Sequence, residues 1–229
     1  MIGIIGAMDE EIDFFLKDIK DKEEIKWKIF TFYKGKLFGK NVVIVKSGVG
    51  KVFASMICQY IIDEFNVKKI LFTGVGGALN NELNIGDVVI SIDSVHHDFN
   101  ATPLGFKRGH ISYTNYRFFK AEENLIELAL KTDISPNKIF KGRILTGDQF
   151  FTQTDKINKS YLKEELNGDC IEMEGAAIAQ VSVINEIPHL IIRTISDKAD
   201  GKAVQDYKKF KSIVAANSFK IIEEILKNL

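Results

Sequence analysis

The chain opens on Ile2 to Ala7, a short apolar run holding two glycines, and from Asp9 the spacing shifts to Ile12, Phe15, Leu16 and Ile19, which is helical. That pattern predicts strand, loop, helix. Ile25 to Tyr33 and Asn41 to Val45 are rich in β-branched and aromatic residues and flank the glycine-containing KGKLFGK, so a hairpin is expected there. After the turn SGVGK, residues Val52, Met56, Ile57, Tyr60, Ile61 and Phe65 fall on one helical face. Lys69 to Thr73 then returns to strand character before a loop, GVGGAL, completing a βαβ crossover. Asp87 to Ile92 reads as strand, Asp98 to Tyr116 as a long aperiodic excursion, Glu122 to Lys131 as helix and Lys138 to Leu145 as strand. Asp155 to Leu166 reads as helix, Cys170 to Met173 as a short strand entering a helix at Gly175, Leu190 to Ile195 as a buried strand and Tyr207 to Leu229 as a closing amphipathic helix. Strands alternating with helices throughout predict one α/β domain over residues 1–229, a three-layer α/β/α sandwich around a central mixed sheet.

Composition narrows the class of partner. A chain of 229 residues that is 45% hydrophobic can bury one substantial core. Its 31 basic and 31 acidic residues cancel, so nothing concentrates it on nucleic acid or an anionic membrane, and a small, weakly charged partner is expected. Cys58 and Cys170 each sit in an apolar stretch far apart in sequence, the usual setting of buried reduced thiols in a reducing compartment. The start, MIGIIGAMDEEIDFF, carries no basic leader or small-residue cleavage site, and no apolar run reaches membrane-spanning length. A cytoplasmic location with no membrane partner is the expectation.

Ligands of α/β sheets sit at the carboxyl ends of strands, and several polar residues fall there. They are Glu10 and Glu11 after the first strand, Thr73 to Gly77, Asp148 after GRILTG, Glu172 and Glu174 around IEMEG, and Ser196 with Asp197 after LIIRT. Arg193 interrupts an apolar strand and therefore needs a carboxylate. Asp197 reads equally well as a turn cap and as a carboxyl group that donates a proton to a leaving group. In an extended chain Glu172 and Glu174 project to one face and Met173 to the other, although acids at a helix start are favourable for dipole reasons alone. The same dipole argument covers Glu10 and Glu11. TGVGGAL permits close backbone approach but lacks the Walker lysine and the full dinucleotide fingerprint, and SGVGK is better explained as a tight turn than as a phosphate loop. His96 and His97, being adjacent, face opposite sides of a strand and do not share a metal; HExxH, CxxC and GxSxG do not occur. Neither a metal nor a cofactor is expected. Phe150 and Phe151 follow GDQ rather than a helical pattern, and aromatic surfaces at a loop suit stacking on a base.

The blocks IGIIGAMDEE, KSGVGKV, TGVGGAL, GDQF, IEMEGAAIA and RTISDKAD, in this order and over essentially the whole chain, resemble the methylthioadenosine/S-adenosylhomocysteine nucleosidases, a branch of the purine nucleoside and uridine phosphorylase superfamily. The resemblance implies a nucleosidase-like fold and hydrolysis of the adenine–ribose bond in methylthioadenosine, S-adenosylhomocysteine or 5'-deoxyadenosine. It implies that Glu11 orients or deprotonates the attacking water and that Asp197 protonates N7 of the leaving adenine. Phe150 stacks on the purine in this reading, and the backbone of Phe151 reads its Watson–Crick edge. Met173 and Glu174 hold the ribose, Arg193 braces the water and its carboxylate neighbours, and Glu172, Ser196 and the Val75-Gly76 backbone are further substrate contacts. Ala7, Met8 and Val49 are pocket wall. Two positions depart from the family's pattern. Val75 stands where serine or threonine is common, which takes a side-chain hydroxyl from the neighbourhood of Asp197 but leaves the loop's backbone amides to serve, modulating the acid without abolishing it; Tyr207 stands where phenylalanine is common, which keeps an aromatic wall. The resemblance also implies a homodimer in which Leu104 and Phe106 of the excursion reach across to cover the 5'-alkylthio group, opposite Val49 and Tyr207 of the other chain. Two rivals are a phosphorylase on the same fold, which needs cationic groups beside Glu11, and a nucleoside-binding or polyanion-binding protein with no catalysis.

Overall fold

The computed structural model describes residues 1–151, 159–198 and 203–229, the side chains of 203–215 lying outside the described residues. The described strands form one mixed sheet: β1 (Ile2–Gly6), β2 (Lys20–Trp27), β3 (Phe30–Leu37), β4 (Lys40–Lys46), β5 (Lys69–Ala78), β6 (Val88–His96), β7 (Phe119–Lys120), β8 (Ile139–Thr146), β9 (Cys170–Glu172) and β10 (His189–Asp197). The described helices are α1 (Asp9–Asp18), α2 (Lys51–Phe65), α3 (Glu123–Ala129), α4 (Tyr161–Glu164), α5 (Gly175–Ile184) and α6 (Ala203–Asn228). Of the helix expected over Asp155 to Leu166, residues 155–158 lie outside the described residues and α4 occupies part of the remainder.

Alternation along the central strands produces the three layers. Ile5, Val43, Val45, Phe72 and Ile191 point toward α2 and α5, while their neighbours Ile4, Val42, Ile44, Leu71 and Leu190 point toward α1, α3 and α6. Both faces are therefore covered, which is why these strands read as unbroken apolar runs. Each such side chain taken fully out of water contributes about 1.5–3 kcal/mol. The edge strand β2, KDKEEIKW, is exposed along most of its length, and its charges blunt an otherwise open edge. Among the described residues no helix is long and apolar enough to cross a membrane.

Three expectations change. The run Ile25 to Tyr33 is not one strand: it folds back at Lys28-Ile29 so that Trp27 faces Phe30, with Lys28 at φ 55°. The GVGGA stretch is the second half of β5, since β10 pairs with it as far as Gly77. On α2 the buried face is Ala54, Ile57, Cys58 and Ile61, leaving Val52 79% and Met56 37% exposed. That helix is apolar on more than one side, and its periodicity alone does not select the face turned inward.

The sheet is only partly open. Strands β5, β10, β6, β8 and β9 close on one another in a ring, and β1, β4, β3 and β2 extend from β5 as a wing. β1 follows one edge of β5 to the pair Ile5–Phe72, and β9 takes up that edge again at Gly77. Between Phe72 and Gly77 that edge has no partner strand among the described residues, so the sheet forks at the carboxyl end of β1. A fork of this kind leaves a crevice at strand ends, where ligands of α/β sheets bind.

Candidate active site

A cavity of ≈ 210 Å³ occupies this fork, walled by residues from α1, β5, β9 and β10 and by the loops after β1, β4, β8 and β9. Glu11 enters it from the first turn of α1. Its Oε2 accepts hydrogen bonds from the Ala7 and Met8 N–H groups at 2.6 and 3.0 Å, and its Oε1 accepts from the Val75 N–H at 3.1 Å, which the fork leaves without a strand partner. Glu11 thus caps its own helix and ties α1 to β5, while Glu10 does not line the cavity. Burial raises the Glu11 carboxyl above its ordinary range, against the pull of Arg193 and of these N–H donors.

Arg193 lies mid-strand in β10 with a side chain only 1% exposed, and it finds the carboxylates that its position demands. Its Nε and Nη2 donate to Glu172 Oε2 at 3.1 and 2.6 Å, Nη2 lies 3.8 Å from Glu174 Oε2, and the guanidinium stacks 4.0 Å from the Phe72 ring centre. Gly74 makes room for this arrangement: a Cβ there would lie 2.6 Å from Arg193 Nη1 and 2.7 Å from Glu11 Oε1. Glu172 is fully engaged, because its Oε2 also accepts from the Glu174 and Gly175 N–H groups at 3.1 and 2.7 Å and its Oε1 accepts from the Thr146 hydroxyl. Glu174 Oε1 accepts from the Gly50 N–H at 2.8 Å. Burial first, and the neighbouring Glu172 second, push Glu174 up to about 8. Three carboxyl groups around one guanidinium leave the site short of positive charge.

Glu172 and Glu174 do approach the same partner, as their spacing predicts, but Met173 lines the cavity as well. Strand geometry ends at Glu172, and Glu174 is already the N-cap of α5 (φ −137°, ψ −32°), so strict alternation no longer applies.

Asp197 is buried at the end of β10, beyond a register shift, where its Oδ2 accepts from the Ser196 hydroxyl at 2.9 Å. The Ser196 hydroxyl is thus a side-chain donor to Asp197, where Val75 has none to offer. A Cβ on Gly77 would lie 3.2 Å from Asp197 Oδ1, so β5 runs directly beneath the carboxyl group.

Phe150 is 53% exposed and forms an outer wall, while Phe151 is buried with its ring edge-on to His97 at 5.3 Å. Ala7, Met8, Val49, Val75, Gly76 and Ser196 also line the cavity. So do Gly77, the end of the Thr73 to Gly77 stretch, and Gln149 and Ile171, which carry no chemical signature that would mark them in sequence. Leu104 and Phe106 do not line it within this chain: Leu104 is 67% exposed, and Phe106 packs on His110 and Tyr113 at 5.4 Å. The Tyr207 side chain lies outside the described residues.

The two histidines diverge, His96 Nε2 meeting Gln180 at 2.9 Å and His97 Nδ1 meeting the Tyr161 hydroxyl at 3.1 Å. Burial pushes His97 down to about 4, so it is neutral at physiological pH. Among the described residues no group of three or more His, Cys, Asp or Glu is arranged to hold a metal ion. Both cysteines are buried free thiols, and burial pushes Cys58 up to about 12 and Cys170 upward as well.

Residues 1–227 match the Phosphorylase superfamily. A protein of Staphylococcus haemolyticus named 5'-methylthioadenosine/S-adenosylhomocysteine nucleosidase is 38% identical over 232 residues, covering 100% of each chain. The solved structure of the nucleosidase of that name from Neisseria meningitidis, in complex with methylthio-immucillin-A, superposes with a TM-score of 0.94 at 34% identity, covering 100% of this chain and 99% of the other. The futalosine hydrolase of Helicobacter pylori superposes with a TM-score of 0.92 at 33% identity, covering 100% and 97%.

Proposed function

Since the chain belongs to the 5'-methylthioadenosine/S-adenosylhomocysteine nucleosidases of the Phosphorylase superfamily, hydrolases acting on N-glycosyl compounds, we propose that it splits adenine from 5'-thio-substituted adenosines with Asp197 as the acid and Glu11 as the group that activates water. The observation that carries this reading is one cavity onto which Glu11, Glu174, Asp197 and Phe150 all open.

Adenine is a poor leaving group as an anion, so a proton given to N7 by Asp197 as the bond breaks removes most of the charge it would carry. The ribosyl fragment then becomes oxocarbenium-like. The Glu11 carboxylate stabilises that charge, and a site already short of positive charge, where Glu174 is held at about 8 beside Arg193 and Glu172, receives it favourably. Water activated by Glu11 adds on the face opposite the departing base, a division of labour analogous to that of inverting glycosidases. Phe150 stacks on the purine and the Phe151 backbone reads its edge, with Ser196 and the Val75-Gly76 backbone beside them. Met173 and Glu174 hold the sugar. Glu172, whose oxygens are taken by Arg193, Thr146 and the start of α5, serves mainly by fixing Arg193.

A phosphate nucleophile would meet the Glu11 carboxylate, and Arg193 is already bound to Glu172. We therefore expect adenine release from methylthioadenosine at the same rate with and without inorganic phosphate, giving free methylthioribose. Phosphate-dependent turnover, or a sugar 1-phosphate product, would reassign the chain to the phosphorylases. S-adenosylhomocysteine, 5'-deoxyadenosine and futalosine complete the substrate panel, the last because a futalosine hydrolase is among the relatives. The two buried thiols suit the reducing cytosol as the place of action.

The active unit is proposed to be a homodimer. Val52, Phe53 and Met56 form an exposed apolar stripe on α2, close in sequence to the half-exposed Val49 of the cavity wall, and Leu104 is exposed on the excursion. Leu104 and Phe106 of the second chain would cover the 5'-substituent, together with Val49 and Tyr207 of the first. Burying an unpaired hydroxyl costs about 1 to 3 kcal/mol, so such a cover favours methylthioadenosine over adenosine. Replacing both Leu104 and Phe106 by alanine should narrow that preference, roughly tenfold in relative kcat/KM, more than it lowers activity on adenosine. A fully active monomer, or unchanged selectivity in the double variant, would mean that the pocket is complete within one chain.

A further inference from the structure

Three segments far apart in sequence meet just outside the cavity, next to its wall residues Val49 and Gln149. Lys51 begins α2, Asp98 opens the excursion after β6, and Asp148 is the second residue of the loop that leads from β8 to Phe150 and Phe151. The Lys51 ammonium donates to both Asp98 oxygens at 2.9 and 2.7 Å and lies 3.6 Å from Asp148 Oδ2. Asp98 Oδ2 also accepts from the Asp148 N–H at 3.1 Å, and Asp148 Oδ1 accepts from the Lys51 N–H at 2.9 Å. Each member holds the other two.

This cluster stands where α2 needs partners. Gly50, its N-cap, has φ 98° and supplies no side-chain cap, so the N–H groups at the helix start are satisfied from elsewhere, Gly50 by Glu174 and Lys51 by Asp148. One helix terminus thus fixes a carboxyl group at the sugar end of the cavity and, through Asp148, the loop at its purine end. Burial would raise the Asp98 carboxyl, but the Lys51 ammonium and the Asp148 N–H outweigh it and hold it below its ordinary value. The Lys51 and Asp98 side chains are only 23% and 31% exposed, so water screens the pair less than it would a surface pair.

We infer that Asp98 is a positioning residue for purine binding: its carboxylate, clamped by Lys51, holds the Asp148 N–H and with it the 149–151 loop in the geometry that receives the base. Asp98 does not line the cavity and touches no reacting group. Its influence therefore falls on affinity, not on the chemical step. The inference rests on the reading that the 149–151 loop takes the purine.

The test compares Asp98→Asn, Lys51→Met, their double variant and Phe150→Ala, measuring kcat, KM for methylthioadenosine, Kd for adenine and Tm. Asp98→Asn and Lys51→Met are each expected to raise KM and the adenine Kd about tenfold, the loss of a charge-assisted hydrogen bond, with kcat changed by less than about threefold. The double variant should be no worse than the weaker-binding single one, because both break one unit. A general loosening of the fold would lower Tm and kcat together and leave no such split. Unchanged KM and adenine affinity in Asp98→Asn, or effects that multiply in the double variant, overturn the inference. Should Asp98→Asn fail to fold, the same criterion applies to Lys51→Met. If Phe150→Ala leaves KM and adenine affinity unchanged, the purine assignment itself fails; if Phe150→Ala raises both and Asp98→Asn neither, only the role of Asp98 does.

Discussion

Replacing Asp197 by asparagine is expected to lower turnover of methylthioadenosine roughly 10²- to 10⁴-fold while leaving the protein folded. The amide keeps the shape of the carboxyl group, which matters where a Cβ on Gly77 would already lie 3.2 Å from Oδ1. Its oxygen still accepts from the Ser196 hydroxyl, which reaches Oδ2 at 2.9 Å. What the amide lacks is a proton to give. Steady-state kinetics alongside thermal denaturation separate the two effects, and near-normal kcat in a folded variant would remove Asp197 from the role of acid.

Glutamine at position 11 is expected to abolish most hydrolysis, again roughly 10²- to 10⁴-fold, while adenine binding persists. Glu11 accepts from Ala7, Met8 and Val75 with its two oxygens, so the glutamine NH2 must face at least one N–H donor, and the side chain no longer activates water. A variant with intact kcat and weakened substrate affinity would make Glu11 a binding residue. The pH dependence gives a second check. The base must be ionised, and burial raises its carboxyl, so wild-type kcat/KM should fall on the acid side at a pH above the ordinary glutamate value of about 4.3. The residual activity of Glu11→Gln should lose that limb.

The parts of the fold legible in sequence are those where one physical demand dominates. β1 and β10 are covered on both faces, and their apolar runs announce it. β5 reads as ending at Thr73 because glycine is a turn signal, yet Gly74 and Gly76 are present for clearance: Cβ atoms there would collide with Arg193 and Glu11 and with Cys170. The turn at Lys28-Ile29 escapes notice because neither residue is a usual turn former. Within the site, the acids and Arg193 are legible as charges at strand ends that need partners. The link from Lys51 to Asp98 spans 47 positions and the one from Asp98 to Asp148 spans 50, and no local pattern encodes either. Ile171 enters the cavity because β9 pairs with β5 at Gly77, beyond the fork, which is a property of strand order.

Asp197 as proton donor to the leaving base is the centre of this account, and a change of leaving group tests it most directly. Adenine needs protonation to depart; 4-nitrophenolate does not. The measurement is turnover by wild type and Asp197→Asn of methylthioadenosine and of the 4-nitrophenyl glycoside of methylthioribose. The variant is predicted to retain nitrophenolate release within about tenfold of wild type while remaining roughly 10²- to 10⁴-fold impaired on methylthioadenosine. Equal losses on both substrates would contradict the assignment.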